Sequence, residues 1–220
     1  MPTKRTAKPT APARVRAILD GLAQAYPDAQ CALVHHSAWE LLVATILSAQ
    51  CTDVRVNKVT PALFAQYGTV AVMAAITPEA LEPAIRSTGF YHNKAKSIVG
   101  AARRIVEVYG GRVPDSIDAL LTLPGVARKT ANVVLGVWFH QASGIVVDTH
   151  VQRVSQRLEL THNNPPEKIE RDLQRLIPLG EWIAFSHRVI AHGRALCLAR
   201  KPQCAPCPIE SLCHAPDKRV

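Results

Sequence analysis

The sequence lacks any apolar run fit to cross a membrane. Its longest uncharged stretch near the middle, residues 130 to 147, is interrupted by Asn132, Gly136, His140, Gln141 and Ser143, whereas a spanning helix needs about 20 consecutive apolar residues. Residues 1 to 13 are rich in lysine and proline but have no apolar segment behind them, so they do not read as a secretory leader. No stretch alternates apolar and polar residues well enough to name a strand, and no internal repeat or interdomain linker stands out. Acid is also in short supply, with 17 Asp and Glu against 26 Lys and Arg, a formal net charge of +9.

What is present is enough to build a good core: 220 residues, 48% hydrophobic and 20% charged, in one domain or two. The charge is uneven. Residues 1 to 16 hold five basic residues and no acid, residues 187 to 220 hold six against two, and the remainder balances. If the two ends lie together they form one basic face, the footprint expected for nucleic acid, although a basic tail on its own is as well explained by solubility. Helical spacing recurs along the chain, with start and stop signals at Ser37 and Glu40, at Thr52, at Thr77 and Pro78, and at the paired glycines Gly110 and Gly111. The expectation is an all-α fold of ten or eleven helices behind a disordered basic arm over residues 1 to 13.

Of six cysteines, Cys31 and Cys51 stand alone and read as small buried hydrophobes. The other four, Cys197, Cys204, Cys207 and Cys213, fall within seventeen residues. Without a secretion signal, this spacing points to a four-thiolate metal site and leaves zinc and iron–sulfur both open. Arg200 and Lys201 lie between the first two ligands, so such a site would brace a loop that offers cations to phosphate. His187 and His192 precede a ligand set that four thiolates already complete, and read as helix residues.

The stretch the rest is organised around is residues 116 to 140. A short apolar helix runs into Pro124, Gly125, Val126 and Ala127, and a second helix starts at Arg128 and Lys129. Pro124 stops the first helix and Gly125 admits positive φ, so the chain doubles back within a few residues. The amides of that turn and of the new helix form an anion seat suited to a DNA phosphate. The second helix is apolar on nearly every face and should be buried, yet opens with two cations that oppose its dipole, each at a cost of about 0.3–1 kcal/mol. A helix start, a neighbouring guanidinium and partial burial all disfavour charge on an amine, which is how a lysine becomes a nucleophile; a phosphate contact is the plainer role for Lys129.

Four segments taken together resemble the endonuclease III family: Leu123-Pro124-Gly125-Val126-Ala127-Arg128-Lys129-Thr130, Val147-Asp148-Thr149-His150-Val151, Leu47-Ser48-Ala49-Gln50-Cys51, and the four-cysteine tail. The resemblance covers about residues 14 to 214. It implies two helical lobes with a cleft between them: a six-helix barrel over residues 31 to 141 containing the helix-hairpin-helix, and a lobe of residues 14 to 30 plus 142 to 220 holding a 4Fe-4S cluster on the four cysteines. It implies a monomeric, cytoplasmic or nucleoid-associated DNA glycosylase and AP lyase that acts on double-stranded DNA carrying an oxidised pyrimidine or an abasic site. Lys129 matches the family's nucleophile and Asp148 its essential aspartate, although Asp148 also reads as a helix cap. Gln50 and Phe90 match the residues that fill the gap left by the flipped base, with Phe90 where the family usually has Leu. Gly125, Val126, Ala127 and Arg128 match the phosphate-holding hairpin, and His150 either touches DNA or packs. Ala127 stands in place of the second hairpin glycine, and Leu121 where some relatives carry an acid.

Two other readings compete. A sister glycosylase that removes adenine or mismatched thymine without lyase action would lack Lys129. A non-catalytic helix-hairpin-helix module, with zinc at the cysteines, would need neither Lys129 nor Asp148.

Overall fold

A computed structural model describes residues 11 to 219. Among them are eleven α-helices and no strand: α1 (Pro12–Ala25), α2 (Ala38–Leu47), α3 (Asp53–Tyr67), α4 (Val70–Ala75), α5 (Pro78–Ile85), α6 (Tyr91–Tyr109), α7 (Ile117–Leu121), α8 (Arg128–Val137), α9 (Thr149–Arg157), α10 (Pro166–Leu176) and α11 (Trp182–Ala195). Short 3-10 turns cover Arg86–Thr88, Leu179–Glu181 and Glu210–Leu212. The expected arm over residues 1 to 13 lies outside the described residues up to residue 10. Beyond that it needs correction, because α1 already begins at Pro12, whose fixed φ and missing N–H suit a first helical turn.

The chain divides into two compact units, one made of Cys31–Ser143 and the other of the segments ending at Gln30 and beginning at Gly144. The first holds α2 to α8. Its core is built on α6, whose Ile98, Val99, Ala101, Ala102 and Ile105 are wholly buried, and on α2, where Leu41, Leu42, Val43 and Ala44 are equally inaccessible. Each such Leu, Ile or Val contributes about 1.5–3 kcal/mol relative to exposure. Local chemistry sets the helix starts. Ser37 Oγ accepts the Glu40 amide at 3.1 Å while Glu40 Oε2 accepts the His36 amide at 2.7 Å, and Thr52, Thr69 and Thr77 cap the next three helices through their hydroxyls.

The second unit packs α1, α9, α10 and α11 around Ile18, Leu22, Val151, Ile169, Leu173 and Phe185. Residues 145 to 147 enter it outside any helix, with the Val146 amide donating to Ser186 Oγ at 3.1 Å. Pro165 opens α10 without a side-chain bond, and the side chain of Asn164 before it accepts from Gln156 Nε2 at 3.0 Å. Gly193 allows α11 to close on α9, since a Cβ there would stand 3.0 Å from the Cβ of His150.

Candidate functional site

The hairpin turn is seated on α6. Gly125 has φ +76°, and a Cβ on it would fall 2.4 Å from Ser97 Cβ, so both conformation and space require glycine. Pro124 lies against Gly100, where a Cβ would approach it to 3.2 Å. Leu123 and Val126 anchor the turn in the core, and the Val126 amide donates to Leu123 O at 3.1 Å. Pro124 and Gly125 between these anchors, and Ala127 just beyond them, face solvent. Ala127 is the N-cap of α8 and has no polar side chain with which to cap it, so the first amides of α8 lack a side-chain partner at the cap.

Arg128 and Lys129 form the exposed first turn of α8, while Ala131, Asn132, Val134 and Leu135 are buried. The partial burial expected for Lys129 is therefore not found, because the inward face of α8 starts only after it. Leu121 is also exposed, at 42%.

Gln50 and Phe90 sit at the tips of two turns of the same unit, both in the left-handed region at φ 52° and 51°. For residues with a Cβ that conformation costs about 1–2 kcal/mol each, a strain of the kind that gathers at functional sites. Both tips line an open pocket of about 270 Å³, together with Asn93, Lys94, Ser97 and Gly125. Phe90 is 63% exposed. Gln50, Phe90, Gly125 and Thr130 are thus brought together around one opening.

In the other unit Asp148 is the N-cap of α9. Its Oδ1 accepts the amides of His150 and Val151, each at 2.8 Å, and the ring N–H of His150 donates to Oδ2 at 3.0 Å. The helix-cap reading of Asp148 describes its local geometry correctly. His150, for which a DNA contact and packing were both open, spends its Nδ1 on that carboxylate.

Cys197, Cys204, Cys207 and Cys213 all line one cavity with mostly apolar walls. Among the described residues no group of three His, Cys, Asp or Glu side chains is gathered as a metal-ion site. Burial pushes the Cys207 and Cys213 thiols up, partly offset by backbone hydrogen bonds. Three arginines hold the loop. Arg14 donates to Leu158 O and Leu212 O, Arg153 to Gly193 O and Cys197 O, and Arg157 to Leu198 O and to Cys197 Sγ at 3.3 Å. His192 is enclosed between the Tyr26 hydroxyl, 3.0 Å from Nδ1, and Cys207 Sγ, 3.7 Å from Nε2; burial lowers its pKa to about 4. Arg200 and Lys201 lie exposed on the loop between the first two cysteines. The roles of Arg14, Arg157 and Lys94 are not among those expected from the sequence. The signal for Lys94 was a lysine four residues before Ile98 on the apolar stripe of α6.

Residues 43–179 match the model of the HhH-GPD superfamily base excision DNA repair protein. The chain is 55% identical to an endonuclease III of Synechocystis sp. over 91% of each chain. It is 46% identical to that of Bacillus subtilis over 91% of this chain and 92% of the relative. Among solved structures it is similar to a trapped endonuclease III–DNA covalent intermediate, with a TM-score of 0.88 and 46% identity over 93% of this chain and 96% of that one. The chain belongs to the HhH-GPD superfamily of base excision repair proteins and, within it, to the endonuclease III family.

Proposed function

We propose that this chain performs its family's chemistry, that of a bifunctional DNA glycosylase and AP lyase of base excision repair, through Lys129 and Asp148, with oxidised pyrimidines in duplex DNA as substrates. The observation that carries this reading is the placement of Lys129: an exposed amine on the first turn of a helix whose start has no side-chain cap, directly beyond a turn that faces solvent. An amine so placed is open to a sugar while the neighbouring amides hold phosphate.

In the first step the neutral amine of Lys129 attacks C1′ of the damaged nucleotide. The N-glycosidic bond breaks, and the base leaves with its electron pair and takes up a proton. The sugar ring then opens, O4′ leaving C1′ as a hydroxyl, and the nitrogen and C1′ become a Schiff base. Removal of a C2′ proton expels the 3′ phosphate by β-elimination and nicks the strand. Asp148 stabilises positive charge on the sugar and relays protons; its three hydrogen bonds hold the carboxylate in one orientation. Gln50 and Phe90 fill the gap left by the flipped nucleotide, a role suited to their strained, exposed tips.

The four cysteines suit a 4Fe-4S cluster. Four cysteines lining one mostly apolar cavity fit a polynuclear core, and the Arg157 N–H aimed at Cys197 Sγ would supply the hydrogen bond and positive charge that such thiolates take. Bound there, such a cluster would brace the loop that displays Arg200 and Lys201. Double-stranded DNA is the partner, and the protein acts as a monomer in the cytoplasm.

Borohydride reduction in the presence of duplex DNA bearing thymine glycol tests the reading. Wild-type protein is expected to form a covalent adduct. An active protein that forms none would leave only a glycosylase without lyase action.

A further inference from the structure

Lys94 stands on the buried stripe of α6, in helical register with Ile98, Ala101 and Ile105, and is 5% exposed. An apolar side chain would suit this position better than an ammonium, whose burial costs free energy and pushes its pKa down. What the ammonium adds is donors. Nζ donates to the main-chain oxygens of Leu47 and Thr88, each at 2.8 Å. Leu47 is the last residue of α2 and Thr88 the last of the 3-10 turn Arg86–Thr88. Carbonyls at such ends lack partners in their own helix and carry the negative end of its dipole, so one cation serves two termini.

The residues just beyond each terminus give this double bond its meaning for function. Gln50 lies three residues beyond Leu47 and Phe90 two beyond Thr88; both are left-handed, and both line the pocket that Lys94 also lines. Two strained turns from distant parts of the sequence are therefore tied to one buried atom on the first turn of α6.

We propose that Lys94 is a positioning residue that holds the turns carrying Gln50 and Phe90 at a fixed separation, so that both side chains enter the duplex together as the damaged nucleotide leaves the stack. This deepens the gap-filling role given above to Gln50 and Phe90, and rests on it. Its consequence is selective: removing the tie harms the step that displaces a paired base more than the chemistry at a sugar already free.

The test uses full-length protein and a thymine glycol duplex with 2-aminopurine in the opposite strand, whose fluorescence rises when its stacking is broken. With Lys94→Met, DNA affinity is expected to stay within about threefold while the rise falls by more than half, and excision of paired thymine glycol slows by about 10- to 100-fold, the scale of a misplacement near 1 Å. Borohydride trapping at a preformed abasic site opposite a gap, where no base is displaced, is expected to fall by less than about threefold.

A folded Lys94→Met protein with the wild-type fluorescence rise and excision rate would overturn the proposal, as would equal losses on both substrates. If that variant does not fold, Lys94→Gln, which keeps an amide donor, takes its place. Failure of both to fold would also overturn the proposal, by making Lys94 a support of the whole unit rather than of two turns. Gln50→Ala and Phe90→Ala are the controls for the premise. If neither reduces the fluorescence rise, the gap-filling role is lost and the proposal with it, whatever Lys94 does.

Discussion

Asp148 is asked to steady a cation on the sugar, and it is also the residue whose Oδ1 takes two amides at the start of α9. Two substitutions separate these jobs. Asparagine caps a helix about as well as aspartate but carries no charge, whereas alanine does neither, at a cost of about 1 kcal/mol. Asp148→Asn is therefore expected to unfold at nearly the wild-type denaturant concentration while excision of thymine glycol slows by about 100-fold or more. Asp148→Ala is expected to lose both rate and stability. Equal rates for wild type and Asp148→Asn in single-turnover assays would reduce the side chain to its cap. Lys129 has no comparable structural duty, being exposed on its helix. Lys129→Gln is expected to melt like wild type, retain binding to damaged duplex and form no borohydride adduct; full lyase activity in that variant would remove the Schiff base from the mechanism.

Among the elements, the hairpin depends on how closely it lies on α6. Gly125→Ala adds a side chain at φ +76° and places its Cβ 2.4 Å from Ser97 Cβ. The left-handed conformation alone costs about 1–2 kcal/mol, and relieving the clash adds to it by lifting the turn. The expected outcome is a lower denaturation midpoint with weaker binding to undamaged duplex, read by fluorescence anisotropy; unaltered binding would separate the turn from the phosphate. The hairpin was legible in the sequence because Pro124 and Gly125 act locally, and so were the caps at Ser37, Thr52 and Thr77, each set by a side chain and an amide three residues apart. The exposure of Lys129 was not legible: an apolar helix body implies burial, and only the packed unit shows where the inward face begins. The lysine tie to Leu47 and Thr88 joins positions 47 and 6 residues away in the chain, which no local pattern reveals.

For the molecule as a whole, function rests on charge and on the cysteine loop. Arg200 and Lys201 are exposed, and removing either one from a DNA phosphate is expected to flatten the slope of log affinity against log salt by about 0.9. Arg200→Ala and Lys201→Ala, titrated from low to moderate salt, read this directly, and an unchanged slope would take these residues out of the DNA footprint. Protein purified without oxygen is expected to be brown and to absorb at about 400 nm, as iron–sulfur clusters on thiolates do; Cys204→Ser is expected to bleach it, and a colourless wild type containing zinc would replace the cluster with a single-ion staple. Above all, one particular amine has to form the bond to DNA, and its identity is read by reducing the complex with borohydride, digesting it and locating the modified lysine by mass spectrometry. A single sugar adduct on Lys129 is the expected result. An adduct on any other lysine, or none from protein that still excises thymine glycol, would contradict the mechanism.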